Sequence, residues 1–345
     1  MWGTLCSPFF MTIDYLIIGQ GLAGSLLAWQ LIQKNCRVLV MDNGLENASQ
    51  VAAGLINPIT GMRFVKSFQV DDYLPIAKQH YAELSCYFQQ VFYIEKPMLR
   101  LFKHTKEYNN AEKRLLDSNY QNYLGQLQRG SIEQYQTGYL LTRTLLNTLK
   151  QFFIQQNSYQ QSEFNFSDLQ LQPLQCYGIQ AKTIIFCEGH HARFNPYFSY
   201  LPFQVVKGEI LTLQHQQTVS DKILNYGHWL IPLNQNTVRT GATFDTENLN
   251  SEATDAAKQE LLNALNKVLP LNAQITAHQA QIRPCTLDKQ PFIGFHPKHQ
   301  QLAIFNGFGA KGSLQIPYYA KRFADTLLNN APLPHHCNIQ RYVTA

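Results

Sequence analysis

The sequence predicts an α/β chain, α+β overall, in which a parallel sheet is assembled from several distant segments and a β-rich domain is inserted between them. Three observations carry this. Residues 14–42 read as strand, glycine turn, helix and second strand. Two later apolar runs, 181–189 and 302–313, also end in glycine turns. After Gln204 the character changes, and strand-forming runs dominate to Ile282.

Residues 15–18 are continuously apolar, as expected of a strand buried on both faces. Gly19, Gly21 and Gly24 follow with G-x-G-x-x-G spacing. Gly19 allows the tight turn, Gly21 lets a pyrophosphate approach, and Gly24 lets the next helix pack closely. That helix start, with Leu22 and Ala23, offers free N–H groups and partial positive charge to phosphates. Leu26, Leu27, Leu31 and Ile32 are expected to form its buried stripe, and Asn35 the left-handed residue that ends it. Residues 38–40 make a second strand, and Asp42 stands at its end. Gly24 and Asp42 are eighteen positions apart, near the ~20 expected of a carboxylate that binds ribose hydroxyls. The unit is a Rossmann-like dinucleotide site, and Asp42 would repel a 2′-phosphate, which disfavours NADP.

Further along, residues 71–90 have helical spacing, 98–102 read as a strand, and 107–116 as a polar, exposed helix. Residues 119–136 carry little signal. Thr142 is placed to cap a helix running to about Gln156, and 163–171 alternate weakly as a strand or hairpin. Strands are expected at 205–213, 229–232, 237–243, 275–282 and 302–305, with helices at 254–269 and 317–328.

Composition bounds the function. The 345 residues are 45% hydrophobic and 15% charged, with a net charge of +5. That is enough for a sizeable core, and no basic run marks a nucleic-acid surface. Seven scattered cysteines read as reduced thiols in a cytoplasmic protein, with no disulfide framework and no metal site. No apolar run reaches the length of a membrane helix. Residues 1–10 read as an extension before the first strand. His190–His191 and His335–His336–Cys337 are read as structural, since each lacks a third ligand nearby.

The Gly19–Asp42 unit joins Ser49-Gln-Val-Ala-Ala-Gly54, Ile184-Ile-Phe-Cys-Glu-Gly189, Val206-Lys-Gly-Glu209, Ile282-Arg-Pro-Cys-Thr-Leu-Asp288 and residues 306–313. In this order and spacing the chain resembles the D-amino-acid oxidase-like FAD-dependent oxidoreductases. Among them, glycine/sarcosine oxidases and the flavin domain of a bifunctional tRNA-modifying enzyme are similar. The likeness runs from about 12 to 330 and is thin between 63 and 135. It implies an FAD-binding domain from 11–62, 136–198 and 284–331. The substrate or cap domain would be 63–135 and 199–283, with 1–10 and 332–345 as terminal extensions.

The resemblance implies non-covalent FAD, with Gly19, Gly21, Leu22, Ala23 and Gly24 at the pyrophosphate and Asp42 at the ribose. Ser49, Ala52, Ala53 and Gly54 would pass the phosphates and the flavin edge. Gly307, Gly309, Ala310, Lys311, Gly312 and Ser313 would face the flavin pyrimidine ring, where charge builds on reduction. Glu188 and Gly189 would lie near the flavin edge. Cys187-Glu188-Gly189 departs from the family pattern of a small residue and Thr or Ala before the glycine, and Asn35-Cys36 replaces a helix-ending glycine.

Such a protein oxidises the C–N bond of a small amine or amino acid by hydride transfer to flavin N5, and the imine then hydrolyses. Oxygen or another acceptor takes the electrons. Arg283, before Pro284, would clamp the substrate carboxylate; the alternative is a pair with a nearby acid. Tyr226 and Trp229 would supply pocket aromatics, although strand alternation lets only Trp229 or His228 of that adjacent pair face the flavin. Lys311 either faces the flavin or solvent, and Arg63 is a candidate second anion contact. A tRNA-modifying flavoprotein oxidising a carboxymethylaminomethyl group is the less favoured enzyme reading. A flavin-binding protein without turnover is the non-enzyme one.

Overall fold

The computed structural model describes residues 11–343, so the expected extension 1–10 lies outside the described residues. In chain order the elements that position the site begin with β1 (Met11–Ile18), α1 (Leu22–Ile32), β2 (Val38–Asp42), α2 (Ala48–Val51) and α3 (Val70–Phe88). Then come β3 (Met98–Leu101), α4 (Thr105–Leu115), β4 (Leu124–Gln128), β5 (Ser131–Gln134) and α5 (Thr142–Gln155). They continue with β6 (Ile179–Phe186), β7 (Val206–His215), β8 (Ile223–Asn225), β9 (Trp229–Asn234) and β10 (Thr237–Gly241). The last are α6 (Asp255–Asn266), β11 (Ala273–Arg283), β12 (Leu302–Asn306) and α7 (Gly312–Asn329).

Two eight-stranded sheets organise these elements. In the first, β2, β1, β6 and β12 lie side by side and parallel. Their apolar runs are buried, and because the strands are parallel, their C-terminal ends share one edge, where such sheets bind ligands. In the second the order is β11-β7-β10-β9-β8-β3-β5-β4. Every pairing in it is antiparallel except β3 with β8. It draws strands from 98–134 as well as from 206–283, so β4 and β5 fill the stretch 119–136 that carried little sequence signal.

One face of the second sheet packs on α6 through Leu211, Leu213, Leu230, Leu261 and Leu265. Buried Glu209 secures that helix. It accepts both the N–H (2.8 Å) and the hydroxyl (3.0 Å) of Thr254, the helix N-cap, while His278 stands 2.8 Å and Lys207 3.4 Å from its oxygens. The opposite face turns toward the loop after α2.

Several expectations shift. α1 has no narrow stripe: Leu22, Gly24, Ser25, Leu26, Leu27, Ala28, Trp29 and Leu31 are all buried, because α5 and α7 pack on it as well as the sheet. Asn35 does take positive φ (60°) after the helix. α5 is capped by Leu141, not Thr142, whose hydroxyl donates instead to Ala52 O at 3.2 Å. α7 starts at Gly312, with Pro317 inside it. Glu107 on the expected exposed helix α4 is buried against Arg100 at 3.6 Å. Within 163–171 only Gln170–Leu171 is strand, and Phe166–Asp168 is a 3-10 turn. Residues 334–343, expected as part of an extension, fold back: Ile293 N–H donates to Cys337 O (2.9 Å) and Arg341 Nε to Asp288 (2.9 Å).

No helix among the described residues is long and apolar enough to cross a membrane, and no group of three His, Cys, Asp or Glu there is placed to hold a metal ion. His190 and His191 share a 3-10 turn, their ring centroids 4.0 Å apart and their planes tilted by 38°.

Candidate active site

Three glycine turns meet at the shared strand edge. The turn after β1 is crowded on its inner side. Gly19 has φ +105°, and a Cβ there would stand 2.6 Å from Cys187 O. One on Gly24 would overlap Gly19 O and sit 3.2 Å from its carbon. The Cys187-Glu188-Gly189 turn after β6 therefore packs directly on the first. Asn306, at the end of β12, joins the third by donating to Gly189 O at 2.9 Å.

The open side of the first turn is where the polar groups gather. Asp42 accepts from Gln20 N–H at 2.8 Å with one oxygen and from Gly44 N–H at 2.8 Å with the other. Ser49 Oγ accepts from Leu22 N–H at 3.0 Å and lies 3.3 Å from where a Gly21 Cβ would be. The next amides of α1, on Ala23 and Gly24, have no partner among the described residues, as the start of a helix dictates. An anion beside Gly21 would receive them.

The loop after α2 carries Ala52, Ala53 and Gly54 across to the second sheet. Gly54 has φ +68°, and a Cβ there would overlap Leu140 O. Ala53 packs with Trp229 and Ile231. On β10, Arg239 donates to Val51 O at 2.6 Å and Ala52 O at 3.4 Å.

Strand register decides what faces this loop. Trp229 pairs with Gly241, and its ring stands 2.9 Å from where a Gly241 Cβ would be. Its neighbour His228 turns the other way, with Nε2 3.4 Å from Glu260 on α6. Arg283 ends β11 opposite Val206. Its guanidinium reaches over Gly208 and donates to Thr243 O at 3.0 Å. It has no carboxylate partner among the described residues, so the alternative of a pair with a nearby acid is not realised. Burial pulls its pKa below the ordinary guanidinium value, with the Cys285 thiol opposing. A partly buried, uncompensated cation of this kind is a strong site for an anion.

The third turn leans on the segment after Arg283. Gly309 N–H donates to Pro284 O at 3.2 Å, and Cys285 Sγ lies 3.2 Å from a Gly309 Cβ position. Gly307, at φ +82°, would place a Cβ 2.7 Å from Thr286. Ala310 and Lys311 continue the turn into Gly312 and Ser313, the first residues of α7. Lys311 is not in open solvent: its Nζ donates to Ser67 Oγ at 2.9 Å, and burial, aided by the charge of Lys289, lowers its pKa. Glu188 accepts from Asn195 Nδ2 at 2.7 Å, and burial raises its carboxyl to about 7, with Asn195 opposing.

Two expected residues are not brought in. Tyr226 is buried on the α6 face among Leu211, Leu230 and Leu265, its hydroxyl 2.6 Å from Thr240 Oγ1, so it cannot line a pocket shared with Trp229. Arg63 is exposed in the turn between Ile59–Thr60 and Val65–Lys66, and only its carbonyl is engaged, by Arg114. Sequence reasoning gave no role to Gly208, Gly241, Thr243 or Arg239. Glycine inside a strand was the available signal for the first two, since it marks close approach of another group. Arg239 carried none.

These features fit a dinucleotide with an extended flavin. Gly21 leaves its side open, Ala23 and Gly24 offer free amides, Asp42 holds acceptor oxygens for ribose hydroxyls, and the chain runs from there along Ser49 and Ala52–Gly54 to the second sheet. The class so defined is a flavoprotein oxidoreductase of mixed α/β fold with a Rossmann-like FAD domain. The chain belongs to the FAD dependent oxidoreductase (DAO) family, whose profile matches residues 14–326. FAD is its cofactor and it is an enzyme of that family.

Among curated proteins it is similar to a glycine oxidase of Bacillus licheniformis, 28% identical over 131 residues, 37% of this chain and 36% of that one. It is also similar to a tRNA 5-methylaminomethyl-2-thiouridine biosynthesis bifunctional protein of Marinobacter nauticus, 25% identical over 165 residues, 43% of this chain and 26% of that one. The match thus spans about a third of these relatives' length or less. Among solved structures, glycine oxidase from Geobacillus kaustophilus superposes with a TM-score of 0.77 at 19% identity, covering 94% of this chain and 99% of that one. Iminodiacetate oxidase from Chelativorans sp. BNC1 gives 0.75 at 19%, covering 95% and 98%. Both show a common fold.

Proposed function

We propose that the protein oxidises the C–N bond of a small amine or amino acid that carries a carboxylate. The observation that carries this is Arg283, a partly buried guanidinium without an acid, spread over Gly208 on the sheet face that also carries Trp229 and tied through Pro284 to the turn before α7. Its N–H fork is suited to a carboxylate, and holding the substrate there fixes the position of the adjacent C–H and nitrogen. Trp229, packed over Gly241 on the same face, would give that position an apolar side wall. Bound FAD supplies the hydride acceptor, so the chain's task is to bind, orient and shield. The two electrons and one hydrogen leave the substrate carbon together, the nitrogen becomes an imine, and water releases it as carbonyl product and amine. The electrons would pass onward to oxygen or another acceptor. The glycine oxidase and iminodiacetate oxidase likenesses support this substrate class.

The likeness to the bifunctional tRNA protein supports a second reading, in which the amine is a carboxymethylaminomethyl group presented on RNA. The same arginine would hold its carboxylate.

Anaerobic mixing of the FAD-loaded protein with glycine, sarcosine, iminodiacetate or D-amino acids tests the first reading through bleaching of the visible flavin bands. Bleaching by one of them, lost in Arg283→Ala while FAD stays bound, is the expected result. The arginine variant should forfeit roughly 2–5 kcal/mol of transition-state binding. Bands that persist with all of them, yet bleach with tRNA bearing the modified base, would move the function to the second reading.

A further inference from the structure

Behind the Trp229 wall a cavity of about 170 Å³ opens between the first turn of α5 and the sheet, lined by Arg239, Arg143, Gln50, Gln279, Thr142 and Tyr139 among others. Arg239 is the unusual member. It lies on β10 two residues before Gly241, and so on the same face as the Trp229 contact. Its guanidinium donates only to the carbonyl oxygens of Val51 and Ala52. Those satisfy two of its five N–H groups but none of its charge, and no carboxylate pairs with it among the described residues. Arg143, by contrast, is matched by Glu46, which also accepts from Gln279 at 3.2 Å. Two arginines thus line the cavity and one carboxylate stands beside it, paired with Arg143, which leaves a net charge of +1 at Arg239. Burial and the charge of Arg143 both press on that guanidinium. Water can satisfy spare N–H groups; only an anion offsets the charge.

We infer that this cavity binds a small oxyanion, a carboxylate or phosphate group of a free solute, and that the 51–53 loop reads its occupancy. Arg239 would take the anion with its remaining donors, and the Gln50 amide and the Gln279 N–H not turned to Glu46 supply neutral donors around it. The loop responds because Arg239 already holds its carbonyls. The Ala52 bond, at 3.4 Å, is the longer of the two and the first to yield when the guanidinium turns toward a ligand. Ala52 and Ala53 are the residues that carry the chain past the flavin edge, so a bound anion alters the flavin environment without touching Arg283. The inference does not depend on which amine is oxidised.

Calorimetry on the FAD-loaded protein, with inorganic phosphate in one arm and acetate in the other at constant ionic strength, tests it, together with the visible flavin spectrum. One saturable site for at least one anion that persists in Arg283→Ala, at millimolar affinity or better, with a concurrent shift of the flavin bands, is expected, and the arms separate phosphate from carboxylate. Arg239→Met should weaken binding at least tenfold. Gln279→Leu, which keeps the charge and sits on a strand surface, should weaken it several-fold and covers the case in which the arginine variant does not fold. The idea is overturned by no saturable heat with either anion. It is also overturned by affinity unchanged in a folded Arg239→Met or in Gln279→Leu, or by binding that leaves the flavin spectrum unmoved.

Discussion

Arg283 lies across Gly208: a Cβ at that glycine would overlap Nη2 and stand 2.5 Å from Cζ. The absence of a side chain at residue 208 is what lets the guanidinium cross β7 and reach Thr243 O. Anchor and glycine are one device, built from neighbouring strands of the same sheet.

Gly208→Ala should therefore displace Arg283 without breaking the strand, since the colliding atoms are the far end of a flexible side chain. Expected is a fall in kcat/KM for carboxylated amines of roughly 10–100-fold, with FAD content and melting temperature near wild type. Steady-state kinetics against a substrate lacking the carboxylate provides the control, which should change little.

Gly24 faces rigid backbone, so the outcome there differs. A Cβ overlaps Gly19 O, and neither α1 nor the turn can retreat from the sheet. Gly24→Ala should purify with little bound flavin and lower thermal stability, by about 1–3 kcal/mol. Gly130→Ala, where a Cβ meets nothing within 4 Å, should retain full flavin absorbance.

Glu188 gives the protein a pH signature. Its carboxyl is raised to about 7 in the fold from an ordinary 4.5, chiefly by burial. Between those values the folded state holds a proton that the unfolded chain has lost. Wild-type stability thus falls relative to a neutral residue as pH rises through this window, and levels off above it. Glu188→Gln should melt higher than wild type at about pH 8, by about 1–3 kcal/mol, with the gap closing toward pH 4.5. Thermal melts across that range check it; a gap independent of pH would remove the titration from the account.

Lys311 brings a partly buried ammonium, held by Ser67 and without an acid partner among the described residues, to the turn that starts α7. If that turn faces the flavin pyrimidine ring, the ammonium favours the reduced cofactor. Lys311→Met should lower the flavin midpoint potential, by about 30 mV if the charge is worth ~1.4 kcal/mol. A potential unchanged within error would place the lysine in the support of the 57–67 segment alone.

Local sequence determined the parallel sheet and its turns. Continuous apolar runs 15–18, 184–186 and 302–305 read as buried strands, and the glycines after them as turns, so β1, β6 and β12 and the three turns at their ends were legible in order. The place of Asp42 at the end of β2 was legible from spacing. Tertiary structure decided the rest, because it depends on which elements pack together. α1 is buried nearly all round since α5 and α7 cover it, which no periodicity within eleven residues can announce. β4 and β5 exist because β3 offers them a free edge. The parity of Trp229 against His228 was limited to two states by alternation, and the contact of His228 with α6 chose between them. Tyr226 went to the α6 face by the same rule. Most of all, sequence named Arg283, but only the register of β7 with β11 showed that it carries its charge over a glycine and unpaired; whether a buried charge has a partner is a property of strands that meet in space, not of residues that follow in order.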